Sequence, residues 1–373
     1  MVDGDTVPTV GTLSSTSFVG SGPFAVGETT LTLPTDGAPV EVWYPATKAS
    51  VAHRSEASYN VGDWLPAPLQ KLVQKLVQAI PGKVSIAHPS GGVRGVPVAP
   101  GRYPLVVFSH GYGGYRDQST FLTAHLAQWG FVVAAPDHYS RDLAEVLGGP
   151  TGAKKNTSDV DDLRATVDLL AREDASASGR FRGHVDTSRV GAVGHSAGGA
   201  AVEALAAADP RVTTFVGLAG ATAGSFGQTR SGSADEAPTQ PGMLMSGTAD
   251  QVVPSGSMIT AYEQMNEPKR LVLLRNAGHL AFADVCEIGT AEGGLLAIAN
   301  ALKVPVPASL RPLANDGCLP PDTPPPQTWP AIRQAVTAQL RQAFGFDSST
   351  AGLSGLEQAF PAVVAGNRAV PGP

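Results

Sequence analysis

Gly194-His195-Ser196-Ala197-Gly198 sets a serine between two glycines in a G-x-S-x-G pattern. The apolar run Val190–Val193 precedes it, and a run of small residues, Ala197–Ala207, follows. Serine is a poor nucleophile unless a base takes its proton. A sharp strand-to-helix turn presents the hydroxyl to such a base. The helix start behind it supplies a backbone N–H and a favourable dipole for an oxyanion. The chemistry these residues suit is acyl transfer. In this arrangement an acid and a histidine follow in chain order. Asp250 lies just past the apolar run 243–245, in Gly247-Thr248-Ala249-Asp250, and His279 just past the run 271–274, in Asn276-Ala277-Gly278-His279. The expected roles are Ser196 as nucleophile, His279 as base then acid, and Asp250 as the group that orients His279. Asp284 is the alternative acid. The bland readings are a turn aspartate bonding its own backbone and a satisfied loop histidine.

A second oxyanion donor should come from the loop Ser109-His110-Gly111-Tyr112-Gly113-Gly114, which follows the apolar run 105–108. By position it is the N–H of Tyr112, paired with that of Ala197. Tyr112 and His195 are the candidate substrate contacts, and His110 reads as a brace for its loop. Asp137-His138 could be an acid or metal pair, but reads better as a strand-end turn. His53, His88, His125 and His184 carry no partner signal. Cys286 and Cys318 lie 32 positions apart. Oxidised, they would tether a proline-rich excursion to the loop of His279; otherwise they are two unrelated thiols. The chain has no H-E-x-x-H, no Cys/His cluster and no glycine-rich phosphate loop between a strand and a helix, so no cofactor or metal is expected.

The elements that must position these residues are short apolar runs alternating with helical stretches from Pro104 onward. That pattern predicts a mostly parallel sheet covered on both faces. Strands are expected near 105–108, 131–135, 190–193, 212–218, 243–245 and 271–274, with helices near 121–128, 160–170 and 197–207. Upstream, 29–33 and 40–44 read as a hairpin turning at Asp36-Gly37. Residues 64–80 carry an apolar stripe from Leu65 to Ile80 at helical spacing, closed by Pro81-Gly82. This helix is either packed on the core or a lid facing lipid or polymer. One domain is expected, with an irregular extension over 1–28, a helical insertion over 60–100, a Cys/Pro-rich excursion over 286–330 and a helix near 330–345. Residues 221–240 read as a polar loop and 346–373 as a loose tail with room for one short helix.

Of the 373 residues, 42% are apolar and 16% charged, enough to bury a core and too ordered in composition for a disordered chain. The net charge is −6 with no basic block, which argues against nucleic acid as a partner. No apolar run reaches membrane-spanning length. The first residues lack the basic start and apolar stretch of a signal peptide. That places the chain in the cytoplasm if it is full-length and outside if a leader has been removed.

The segments Val42-Trp43-Tyr44-Pro45, Tyr103 to Gly111, Gly130 to Ala135, Gly194 to Gly199 and Gly278 to Asp284 resemble the α/β-hydrolase family. Within it they are most similar to platelet-activating-factor acetylhydrolase-like and dienelactone-hydrolase-like esterases. The resemblance implies a Ser–Asp–His carboxylesterase acting on short or modified acyl groups, with the helix near 64–80 facing lipid. Secreted bacterial polyester hydrolases are similar around the elbow and the oxyanion loop, which makes a polyester hydrolase or lipase working at an interface the alternative. The substrate is then a small-molecule, lipid or polymeric ester. Stretch 286–330 departs from the family pattern. A non-catalytic binding protein on the same fold is the reading from another class; it would normally have lost one of the three residues present here.

Overall fold

The computed structural model describes residues 7, 9–79, 86–148, 158–220, 237–290, 293–301, 303–304, 306–308 and 310–372. Most of the expected polar loop 221–240, and the Pro81-Gly82 stop, lie outside them. The strands are β1 (Ala25–Thr32), β2 (Pro39–Ala46), β3 (Ser58–Asn60), β4 (Ala87–Pro89), β5 (Val93–Arg94), β6 (Tyr103–Ser109), β7 (Val132–Pro136), β8 (Val185–His195), β9 (Val212–Leu218), β10 (Gly242–Gly247), β11 (Lys269–Leu274) and β12 (Val364–Val370). The helices are α1 (Lys48–Val51), α2 (Ala67–Ala79), α3 (Thr120–Gln128), α4 (Leu143–Val146), α5 (Asp159–Ala175), α6 (Ala197–Ala208), α7 (Ser255–Gln264), α8 (Leu295–Ala301), α9 (Leu310–Leu313), α10 (Pro325–Ala343) and α11 (Leu356–Ala359).

Ten strands form one sheet in the order β12-β11-β10-β9-β8-β6-β7-β2-β1-β5. The run from β7 through β6, β8, β9 and β10 to β11 is parallel. The β1–β2 hairpin is antiparallel and joins β7. Strands buried on both faces read as continuous apolar runs, which is why β6 and β7 were visible in the sequence. Their alternation still sorts the core. Val106, Phe108, Val133 and Ala135 pack with α3 and α10. Leu105, Val107, Val132 and Ala134 pack with α5, α6 and α7 on the other side. This is the doubly covered, mostly parallel sheet of an α/β-hydrolase fold.

Four expectations need correction. The helix expected over 64–80 is α2, Ala67–Ala79, after a 3-10 turn at Val61–Trp64. Pro66 explains the late start: Leu65 before it is held extended, while Pro68 is tolerated in the first turn. The helix expected near 330–345 begins earlier, at Pro325, because prolines fit the first turn of a helix. The tail from 346 is not loose. It carries α11 and then β12, which pairs antiparallel with β11. β12 is an edge strand, largely exposed, so no apolar period announces it. Within 1–28, β1 already begins at Ala25, and Phe18 is fully buried with its N–H donated to Gln334 Oε1 at 2.7 Å.

Cys286 and Cys318 are joined in a disulfide. The loop it closes carries α8 and α9, so both short helices are tethered at the root of the His279 loop. Denatured, unreduced protein should therefore show no reactive thiol. Replacing both cysteines by serine should lower the unfolding free energy in urea by about 3–4 kcal/mol, the loop-closure figure for this separation. Two titrating thiols in the unreduced wild type would refute the bond.

Candidate active site

Ser196 sits between β8 and α6 with φ 58° and ψ −123°, a conformation that costs an L-residue of order 1–3 kcal/mol. Its neighbours make the turn possible by having no side chains. A Cβ on Gly194 would lie 2.1 Å from Gly198 O, and one on Gly198 would lie 2.1 Å from Ser109 O. The turn is held by Ser196 N donating to Leu218 O at 2.8 Å and Gly199 N donating to Ser196 O at 2.9 Å.

Asp250 and His279 come from the turns after β10 and β11, neighbouring parallel strands. His279 Nδ1 and Asp250 Oδ2 are 2.9 Å apart, both groups buried. The other oxygen, Oδ1, accepts from Val252 N at 2.9 Å and Val253 N at 2.7 Å. Asp250 thus braces its own turn and meets His279 at once. With Nδ1–H turned to Asp250, His279 Nε2 carries the free lone pair. Nε2 and Ser196 Oγ are both buried and without a hydrogen-bond partner among the described residues, and both side chains line the same cleft.

Asp284, the alternative acid, is engaged elsewhere. It accepts from the N–H of Thr120 and of Phe121 and from Thr120 Oγ1 at 2.6 Å. It caps α3, whose own N-cap residue, Ser119, makes no side-chain cap bond. Burial pushes its carboxyl up to about 7 despite these bonds.

The loop after β6 leaves one amide unspent. Gly111 N donates to Gln118 Oε1 at 3.0 Å, Gly113 N to Arg141 O at 2.8 Å and Gly114 N to Gly111 O at 3.0 Å. Among the described residues the N–H groups of Tyr112 and Ala197 go to no acceptor. The Tyr112 ring is 44% exposed at the mouth of the cleft. His195, expected to contact substrate, edges the cleft but has both ring nitrogens committed. Because Gln118 Oε1 already accepts, Gln118 Nε2 donates to His195 Nδ1 at 2.9 Å, and His195 Nε2–H donates to His279 O at 3.0 Å. Burial and the nearby His279 hold this ring well below the usual histidine range. His195 is therefore a neutral strut between the loop after β6 and His279.

Three residues here had no signal in the sequence. Gln118 ties Gly111 to His195. Asp316 accepts from Gln251 N through Oδ2 at 2.8 Å and from Leu280 N through its carbonyl at 2.9 Å, bracing the Asp250 and His279 turns together. Arg141 lies under the oxyanion loop. Each partner is remote in sequence, so no local spacing marks it. Asp137 and His138 divide their work. Asp137 accepts from Trp64 Nε1 and Arg116, and His138 lies between Ser109 and Asp162. Two groups have metal-ligand types close together, His138–Asp159–Asp162 and Glu28–Glu41–Asp117. Arginines stand in both: Arg141 on Asp159, and Arg94 and Arg116 on the glutamates.

The cleft has about 1140 Å³ of empty space, its open mouth included. Val61 and Leu65 before α2, Val73 within it, Leu143, Ile298 and Leu310 are among its walls. Val73 is buried, while Leu72 on the same helix is 40% exposed. α2 is thus a wall of the cleft on one side and faces solvent on the other.

The sequence model of the dienelactone hydrolase family matches residues 91–292. That of platelet-activating factor acetylhydrolase, isoform II, matches residues 14–147. Among solved structures, a ferulic acid esterase from Streptomyces cinnamoneus is similar at 24% identity, with a TM-score of 0.56. The alignment covers 86% of this chain and 90% of that one. At that identity the likeness establishes the α/β-hydrolase fold.

The raised Asp284 carboxyl has a signed consequence. The folded state holds this proton more tightly than the unfolded chain, whose aspartate titrates near 3.9. Stability contributed by the neutral form is therefore lost as pH rises from about 4 to about 7. Thermal midpoints of wild type and Asp284→Asn, taken at steps from pH 5 to 8, should converge or cross in favour of the variant as pH rises. Parallel profiles would show that Asp284 is ionised throughout.

Proposed function

The chain belongs to the dienelactone hydrolase family and is a carboxylic ester hydrolase, and from that premise we propose that it is a serine esterase working through an acyl-enzyme on Ser196. The observation that carries this reading is the pairing of Asp250 with His279 at 2.9 Å beside two partnerless atoms, His279 Nε2 and Ser196 Oγ, on one cleft. His279 Nε2 takes the Ser196 proton as Oγ attacks the ester carbonyl. The carbonyl oxygen becomes an oxyanion, held by the N–H groups of Tyr112 and Ala197. Collapse expels the alcohol, which takes the proton from His279. Water then repeats the sequence and releases the acid. Asp250 holds Nδ1–H throughout and stabilises the imidazolium. Each oxyanion donor is worth roughly 10²–10³ in rate.

The substrate side is read from the walls. Aliphatic residues from four separate segments dominate them, which suits a short or lipid-like aliphatic acyl group. Ligand sites for molecules of that size run up to about 1,000 Å³. The Streptomyces relative is named for ferulic acid esters, an aromatic acyl group; here Tyr112 and Tyr115 are the aromatic wall residues. A second reading is supported by Leu72 and Tyr112, large side chains left exposed on α2 and at the mouth. It is hydrolysis of a polymeric or lipid ester at an interface. We further propose that the chain is one hydrolase domain, with the insertion 60–100 and the excursion 286–330 building the cap.

A series of p-nitrophenyl esters from acetyl to palmitoyl should peak at short to medium chains. Ser196→Ala should lose at least about 10³-fold in kcat. Activity that rises sharply only with emulsified long-chain esters would favour the interfacial reading. Wild-type rates in Ser196→Ala would overturn both.

A further inference from the structure

A trans peptide is planar, so its C=O and the N–H that follows point in opposite directions. Whatever fixes Gly111 O therefore aims the N–H of Tyr112. Gly111 O accepts three hydrogen bonds: from Arg141 Nη1 at 2.8 Å, from His110 Nδ1 at 2.8 Å and from Gly114 N at 3.0 Å. His110 and Gly114 belong to the loop itself and move with it. Arg141 is anchored outside it, in the segment after β7.

The Arg141 side chain is 3% exposed, and its donors are spread over the end of β6. Nη1 also reaches His110 O, and Nη2 donates to Ser109 Oγ at 2.9 Å. Its carbonyl accepts from Gly113 N at 2.8 Å. Four consecutive residues, 109 to 112, are thus gripped directly or through a shared peptide plane. The grip is itself held. Nε donates to Asp159 Oδ2 at 2.6 Å. Burial is the largest single influence on the Asp159 carboxyl and would raise it, but Arg141, His138 and the Ser140 hydrogen bond together outweigh it and hold the group well below the usual range. Since Arg141 donates to Ser109 Oγ, the serine hydroxyl is free to donate to His138 Nε2 at 2.8 Å. His138 Nδ1–H then donates to Asp162 Oδ2 at 3.0 Å. This Ser–His–Asp array is fully buried and serves as a prop for the guanidinium. On the far side of the loop, a Cβ on Gly111 would lie 3.1 Å from Ser196 Cβ. The peptide that Arg141 clamps is therefore the one facing the nucleophile.

We propose that Arg141 is the positioning residue of the oxyanion site: its guanidinium, anchored on Asp159, locks the Gly111–Tyr112 peptide so that the Tyr112 N–H is aimed at the developing oxyanion before substrate arrives. The inference rests on the proposed roles of Ser196 and Tyr112. It separates Arg141 from a generic buried ion pair by where the energy is spent. A donor aimed at the oxyanion acts in the transition state and little on the ground-state ester.

The test measures kcat and KM for Arg141→Gln and Arg141→Lys on a p-nitrophenyl butyrate substrate, with Ser196→Ala beside them. It also measures the inhibition constant of a trifluoromethyl ketone carrying a butyl chain, which forms an oxyanion on the serine. In Arg141→Gln, kcat should fall about 10²-fold, in the range for loss of one oxyanion donor, with KM within about threefold. The inhibition constant should weaken in step with kcat/KM. Arg141→Lys keeps the charge but not the fork geometry, and should fall between Gln and wild type. If neither Arg141 variant folds, Asp159→Asn loosens the guanidinium and should shift kcat and the inhibition constant together, by about tenfold. Folded variants that keep kcat within threefold would overturn the proposal, as would a loss of kcat without loss of inhibitor affinity. In either case the Ser196 assignment stands if Ser196→Ala is inactive. Full activity in Ser196→Ala would instead bring down the reading on which this inference rests.

Discussion

The register of β6 beside β8 is the constraint on which the site depends. Ser109 pairs with Gly194, so the two strands end level. The loop 109–114 and the Ser196 turn then leave the sheet side by side. The contact that follows is backbone on backbone, with Gly198 so close to Ser109 O that a Cβ there would clash. Slipping this register by one residue would turn the buried sets of β6 and β8 to the opposite faces. It would also separate Tyr112 from Ala197. The elbow glycines and the sheet register are one device seen from two sides.

From that contact the site is extended by hydrogen bonds between elements rather than by packing. Gln118 links Gly111 to His195, and His195 links the elbow to the His279 carbonyl. Asp316 adds the Asp250 turn. The three bonds through Gln118 and His195 are buried from water, where loss of one partner costs about 1–3 kcal/mol. A parallel network runs outward on the other side. Arg116 bonds Asp137 at 2.6 Å and lies 4.7 Å over the Trp64 ring, while Trp64 Nε1 bonds the same carboxylate. The first turn of the cap is thereby fastened to the strand-end segment that also supplies His138 and Arg141. Cap and oxyanion loop share one root.

Legibility in the sequence followed the range of the interaction. Ser196, Asp250 and His279 each sit at the end of an apolar run, so strand pattern and residue type together singled them out. The strands β6 to β11 were visible because burial on both faces leaves a continuous apolar stretch. β12 was missed because an edge strand needs no such stretch. Arg141, Gln118 and Asp316 were missed because their partners lie up to 77 positions away, and nothing local distinguishes them from surface residues. His195 is legible beside the serine and edges the cleft, while the bonds of its ring to Gln118 and to the His279 carbonyl join residues 77 and 84 positions away and leave no local signal.

The cap explains why substrate preference was the least legible property. The cleft walls come from Val61 to Ile86, from Leu143 and Leu147 and, most of all, from the aliphatic residues between Leu295 and Ala314. No segment carries a motif, because an apolar wall asks only for apolar residues. What the sequence did mark was the tether, Cys286 with Cys318, without saying what it tethers. In the fold that loop carries Leu310 to within contact of Gly113: a Cβ there would sit 3.1 Å from Leu310 Cδ2. The excursion therefore meets the same loop, 109–114, that Arg141 bonds from the other side. Leu310 and Gly113 line the cleft side by side. The excursion between the cysteines and the loop after β6 therefore meet on one wall of the cleft, which no local pattern in either segment announces.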